Sequence, residues 1–181
     1  MNKLRKSLFI VPFLACSLFA AAQEGKSELD KQFSEVVTTD SVPGSNLTKR
    51  AVNWVKAESP RFKKSMGVAT GSKAECLATF KIKAKELNPN PDYTGMITMH
   101  VTIECKDNKY RYSITKMKHT ASNGKASGGD ITNIVPECGS MIMPDKTWKQ
   151  IKGEAFKSAS MVISELKDGM TKNATDSKDE W

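Results

Sequence analysis

Ile97-Thr98-Met99-His100-Val101-Thr102-Ile103-Glu104-Cys105 alternates apolar and polar side chains without a break. Successive side chains of an extended chain point to opposite sides, so this run predicts a strand with a dry face and a wet face. Ile97, Met99, Val101, Ile103 and Cys105 make the dry face; Thr98, His100, Thr102 and Glu104 make the wet one. Upstream, Cys76, Ala78, Phe80 and Ile82 alternate with Leu77, Thr79, Lys81 and Lys83. Downstream, Asp107-Asn108 is a compact hairpin signal, after which Tyr110, Tyr112 and Ile114 alternate with Arg111, Ser113 and Thr115. Met66 to Ala69 reads as a shorter strand that turns at Thr70-Gly71-Ser72-Lys73. Phe33, Val36 and Val37 suggest a first strand over residues 33–38.

Two segments change period. Leu47, Ala51, Trp54 and Val55 recur at helical spacing after Ser45, a candidate cap, and Ser59-Pro60 stops the pattern. Trp148, Ile151, Ala155, Ala159, Val162, Ile163 and Leu166 make the apolar stripe of a long helix from about Asp145, with Gly169 as a plausible stop. Between them, residues 121–144 carry Gly and Ser punctuation together with Ile131, Ile134, Val135, Met141, Ile142 and Met143. A loop of this length is expected to be functional, mobile or the host of a short element. The order is strand, helix, four strands, helix. It predicts an α+β domain: a curved antiparallel sheet of about five strands with two helices on one face (β-α-β-β-β-β-α). Residues 33–170 form that domain, residues 23–32 a flexible lead-in and residues 171–181 a disordered tail.

The run Ala51-Val52-Asn53-Trp54-Val55 on the first helix and Asp107-Asn108-Lys109-Tyr110-Arg111-Tyr112 in the hairpin, within this element order, resemble a secreted bacterial family. That family is domain of unknown function 4468. The resemblance spans roughly Phe33 to Met170 and implies a fold like that of the TATA-binding protein. It implies no activity and no catalytic residues, and a shared fold does not import DNA binding.

Residues 1–22 predict a secretory signal. Lys3, Arg5 and Lys6 precede an apolar run from Leu8 to Ala21, and Ala20-Ala21-Ala22-Gln23 offers small side chains for cleavage between Ala22 and Gln23. The run is too short for a membrane span of about 20 residues, so the mature chain is expected to have none. Cleavage before Cys16 with lipidation is the lesser alternative. The expected location is periplasmic or extracellular. Removing Lys3, Arg5 and Lys6 from 28 cations leaves 25 against 20 acids, so the charge falls from +8 to +5. Export turns a basic balance away from nucleic acid and toward an envelope component, such as an anionic glycan or protein. A mixed-charge solubilising surface is the plainer alternative.

Three cysteines remain after cleavage, which allows at most one internal disulfide. Cys76 and Cys105 share the dry face of adjacent strands and could approach if Phe80 lies opposite Val101; two buried thiols are the alternative, and Cys138 is a rival partner. Only His100 and His119 could support metal or His-dependent chemistry, and His119 reads as a surface residue. No catalytic residue, cofactor or metal is implied. The motifs of α/β-hydrolases, zincins, P-loops and dinucleotide folds are absent from the sequence. Cys138 with His119 is the one nucleophile–base pair to check. Lys63 and Lys64 read as a solvated turn, and Tyr110 and Tyr112 as rings at the core edge with hydroxyls in water. The wet face of the sheet offers Lys81, Lys83, His100 and Arg111 as candidate binding residues. The sequence therefore favours an exported, non-enzymatic binding module. An envelope glycan-acting enzyme and a carrier of a lipid or small apolar ligand are the alternatives.

Overall fold

A computed structural model of the chain describes residues 33–83 and 93–171. The signal with its Ala22/Gln23 cleavage position, Cys16, the lead-in and the tail beyond Thr171 lie outside the described residues. The elements are β1 (Ser34–Thr38), α1 (Gly44–Lys56), β2 (Lys63–Thr70), β3 (Lys73–Ile82), β4 (Gly95–Lys106), β5 (Lys109–Ala121), β6 (Gly129–Asp130) and α2 (Asp145–Thr171). All strands join one antiparallel sheet in the order β1-β5-β4-β3-β2. The two-residue β6, a short element inside the 121–144 loop, lies beside the second half of β5, and β1 lies beside its first half. This is the expected α+β layer, an open antiparallel sheet with two helices.

The alternation that predicts β4 decides where the core sits. Ile97, Met99, Val101 and Ile103 are fully buried, whereas Thr98, His100, Thr102 and Glu104 are half-buried. Leu47, Ala51 and Trp54 of α1 and Trp148, Ile151 and Leu166 of α2 share one apolar cluster with the dry face. Fully burying a side chain of this size contributes about 1.5–3 kcal/mol. The helices meet where Gly169 lies against Trp54: a Cβ there would fall 2.6 Å from the indole Cδ1. Gly169 is thus a point of helix contact rather than the expected stop, and α2 runs on to Thr171.

Two bulges shift the phase of strands that otherwise alternate. Thr98 pairs with Lys118 but His100 pairs with Thr115, so β5 carries one extra residue near Lys116, whose φ is +53°. An extra residue moves every following side chain to the other face. Buried positions in β5 accordingly change from Tyr110, Tyr112 and Ile114 to Met117, His119 and Ala121. In β2, Ser65 pairs with Leu77 and Val68 with Glu75, around Met66 at φ +54°. Beside that bulge Gly67 lets the edge strand approach α1, because a Cβ would lie 2.6 Å from Val55 Cγ1.

The ends of α1 are satisfied from other elements. The helix begins at Gly44, not after a capping Ser45, and the Gly44 N–H donates to Asp107 Oδ1 (2.7 Å) from the β4–β5 turn. Its first-turn amides are a natural place for a carboxylate. At the other end the Trp54 carbonyl accepts from Lys64 Nζ at 2.7 Å. Lys64 was expected in a solvated turn. It instead lies on the core side of β2, with its side chain 4% exposed, its ammonium 4.2 Å from the Trp54 ring centroid and Glu165 of α2 at 3.4 Å. The helix carbonyl, the indole face and the carboxylate together replace its water.

Residues 121–144 form a lobe that is packed at its base, while Ile134, Val135, Met141 and Ile142 are exposed. Ile131 and Met143 are buried, the Tyr93 hydroxyl donates to the Ile142 carbonyl (2.8 Å), and Trp148 Nε1 donates to the Asn133 carbonyl (3.1 Å). Gly128 sits on the Trp148 ring, where a Cβ would be 2.2 Å from Cζ3. Gly128→Ala therefore has to displace a fully buried indole, and an overpacked core typically costs about 1–3 kcal/mol. A urea midpoint lowered to match is expected; an unchanged midpoint would mean that the lobe does not clamp α2.

Candidate functional site on the open face of the sheet

Both helices pack on the dry face, and the registers lay out the other face row by row. Lys73, Glu104, Arg111 and Val36 form one row across β3, β4, β5 and β1. Glu75, Thr102, Ser113 and Ser34 form the next, followed by Leu77, His100 and Thr115. Beyond the β5 bulge come Lys63, Thr79, Thr98 and Lys118, then Lys81, Met96 and Thr120.

Lys106 and Lys109, exposed and without an ion pair among the described residues, end the face on the Glu104 side, and the acids of the face, Glu75 and Glu104, lie toward that side. Arg111 donates to Glu104 Oε2 through Nε (2.9 Å) and through its NH2 group. Lys73 pairs with Glu75 at 2.7 Å, and Thr102 Oγ1 donates to the same Glu75 oxygen at 3.1 Å. The Lys73 hydrogen bond holds the Glu75 carboxyl below its ordinary value, with Thr102 helping and burial opposing. At the far end Lys63, Lys81 and Lys118 are exposed and make no ion pair among the described residues.

The four candidate residues read from sequence are therefore not brought together. Lys81 lies opposite Met96 and Arg111 opposite Glu104, eight residues apart along β4, or about 27 Å. His100 is half-buried between them, and Lys83 is exposed just past β3. Lys63 and Lys118, which join Lys81 at the unpaired end, escape a sequence reading. Their facing depends on the β2 register and on the β5 bulge.

The expected approach of Cys76 and Cys105 fails on register. Phe80 pairs with Ile97, which sets Cys76 opposite Val101 and leaves Cys105 beyond the end of β3, its N–H on the Ser72 carbonyl. Val101 and Cys105 are about 13 Å apart along the strand, whereas bridged Cβ atoms lie about 3.8 Å apart. All three described thiols are free. Burial pushes Cys76 up to about 11 and also raises Cys105 and Cys138, so each is a poor nucleophile near neutrality.

His119 is fully buried rather than at the surface. The bulge turns it into the core, where Nδ1 accepts the Gly128 N–H at 3.0 Å. That bond fixes a neutral ring with its proton on Nε2. Burial lowers its pKa, with the Tyr93 backbone opposing. The Cys138–His119 pair thus has a raised thiol and a base whose acceptor nitrogen is engaged. The Tyr112 hydroxyl, expected in water, donates instead to Glu35 Oε2 at 2.5 Å, and Lys167 Nζ reaches that oxygen at 2.7 Å. Burial and then the Glu35 bond push the Tyr112 phenol up; the Lys167 and Tyr112 bonds lower Glu35. No cluster of three metal-ligating side chains occurs among the described residues, and no described helix is long and apolar enough to cross a membrane.

With this layout in hand, comparison with known proteins is specific. A family model described as a domain of unknown function (DUF4468) with TBP-like fold matches residues 33–120. The match ends one residue before the end of β5, so it covers β1 to β5 and α1. A TBP-like protein from Parabacteroides distasonis ATCC 8503 superposes with a TM-score of 0.55 at 13% identity, over 77% of this chain and 92% of that one. A DUF4468 family protein from Bacteroides ovatus ATCC 8483 gives 0.53 at 6% identity, over 78% and 86%. At such identities the likeness concerns the fold. No curated protein matches the chain.

Within the matched residues His119 gives a pH signature. Its folded pKa lies below the ordinary 6.5, so the unfolded chain takes up the proton first as pH falls. The stability it contributes is complete above about 6.5 and drains away between that value and the lowered folded one. Glu35 and Glu75 act in a lower window, below their ordinary 4.5. Urea midpoints should fall between pH 7.5 and pH 5 in the wild type and change less in His119→Gln. Equal slopes would contradict a buried neutral imidazole.

Proposed function

We propose that this protein is an exported, non-enzymatic binding module of the cell envelope, and that it recognises its partner with the open face of the sheet. The observation that carries the proposal is one-sidedness. α1 and α2 both pack on the dry face, while the opposite face keeps half-exposed Thr98, His100, Thr102, Ser113 and Thr115 at its centre. Antiparallel sheets tolerate a wet face, so solvation alone explains part of this pattern. The Lys, Thr and Ser content suits a partner rich in anions or hydroxyls, such as an anionic glycan or an acidic protein.

Export rests on the basic start, the apolar run and the Ala20-Ala21-Ala22 cleavage pattern. The enzyme alternative draws no support from the raised thiols or the engaged imidazole. The carrier alternative, a cavity between the sheet and the long helix with Ile131 to Met143 as its lid, draws no support from the lobe, where Ile131 and Met143 are buried but Ile134 and Met141 are exposed.

Two measurements test the proposal. Mass spectrometry of the protein recovered from its host should find Gln23 as the first residue in the envelope or medium. A chain retaining Met1 in the cytoplasm would overturn export. The mature protein should co-sediment with isolated envelope fragments, and Thr102→Glu with Ser113→Glu should abolish this where Lys157→Glu on α2 does not. Sedimentation unaffected by the sheet variant would remove the open face from the account.

A further inference from the structure

The end of the open face that carries Lys63, Lys81 and Lys118 has a more definite character than the rest. We propose that it is a binding site for a linear acidic polysaccharide, a step that rests on the open-face reading above and names its ligand. The row Lys63–Thr79–Thr98–Lys118 crosses four strands, so its terminal lysines stand about 14 Å apart at the backbone. Lys81 lies two residues from Thr79, about 7 Å further along β3. Three cations thus frame a strip wider than a single small anion.

Lys63, Lys81 and Lys118 have no carboxylate partner among the described residues, and no acidic side chain stands in their rows on β2 to β5. Asp130 flanks Lys118 at the end of the row, but its Oδ1 accepts from the Thr132 N–H (2.8 Å) and hydroxyl (2.6 Å). Thr79 and Thr98 lie between Lys63 and Lys118, and exposed Met96 and Thr120 complete the row that Lys81 begins. The threonine hydroxyls can donate and accept, as sugar hydroxyls require. Lys63 and Lys81 also line a groove of about 720 Å³ that continues past Lys56 and Arg61, with Glu58 as its exposed acid. A chain lying over the strip has somewhere to go, which favours a polymer over a free monosaccharide. Nucleic acid fits less well: every described Trp and Tyr is buried, so this end of the face offers no large aromatic ring on which a base could stack.

The test uses mature chain 23–181 with polygalacturonate and chondroitin sulfate as carboxylate and sulfate probes, titrated calorimetrically at several salt concentrations. At least one probe should bind, more weakly as salt rises. Lys63→Ser with Lys81→Ser and Lys118→Ser should weaken binding by about tenfold or more and lower the log–log salt slope by about three, one per lysine. Lys106→Ser with Lys109→Ser, at the opposite end, should change it by less than about twofold. Binding to neither probe, a triple variant equal to the folded wild type, or equally tight binding of duplex DNA would each overturn the proposal. If the triple variant keeps binding while Thr102→Glu with Ser113→Glu abolishes it, the open face stands and this end of it does not. If neither set matters, both readings fall.

Discussion

Ile97, Met99, Val101 and Ile103 are kept from water by two helices laid across one side of β4, and that single act of burial orients the rest of the molecule. Because side chains alternate strictly along a strand, placing the odd-numbered residues inside places Thr98, His100, Thr102 and Glu104 outside. The pairing registers then extend the assignment to neighbouring strands. Lys81 and Arg111 face outward because Met96 and Glu104 do, and Cys76 packs inward beside Val101.

A sheet with perfect alternation would have been legible almost completely. The helices, the β3–β4–β5 core and the hairpin at Asp107-Asn108 follow from period and turn chemistry alone. What escapes is everything downstream of a bulge. Nothing in Thr115-Lys116-Met117 announces an extra residue, yet it moves His119 from water to the core and turns Lys118 outward. The Met66 bulge likewise accompanies an edge strand longer than its apolar residues suggest, with Lys64 turned under α1. Register is the second gap. Sequence showed that Cys76 and Cys105 share a face, but not the four-residue offset that separates them, because pairing is set by contacts across strands.

The candidate site shows the same division. Its face was readable, and its grouping was not. The residues taken together from the sequence separate: Arg111 sits on Glu104 near the acids of the face, whereas Lys81 lies at the end without acids, where the registers bring Lys63 and Lys118 to join it. The likeness to DUF4468 and TBP-like structures covers the sheet that carries this face and leaves its chemistry to these particular side chains. The lobe at 121–144 serves the core: Gly128 against Trp148 and the Asn133 carbonyl on the indole N–H tie β5 to the start of α2.

Thiol accessibility tests the facing of the sheet most directly. In the mature chain with Cys76→Ala, Cys105→Ala and Cys138→Ser, single cysteines placed at Thr102, Ile103, Met117 and Lys118 can be timed for reaction with a maleimide in native buffer and in urea. Thr102→Cys and Lys118→Cys should react quickly in native buffer, whereas Ile103→Cys and Met117→Cys should wait for unfolding. Fast native labelling at Ile103 or Met117, with protection at Thr102 or Lys118, would contradict the account.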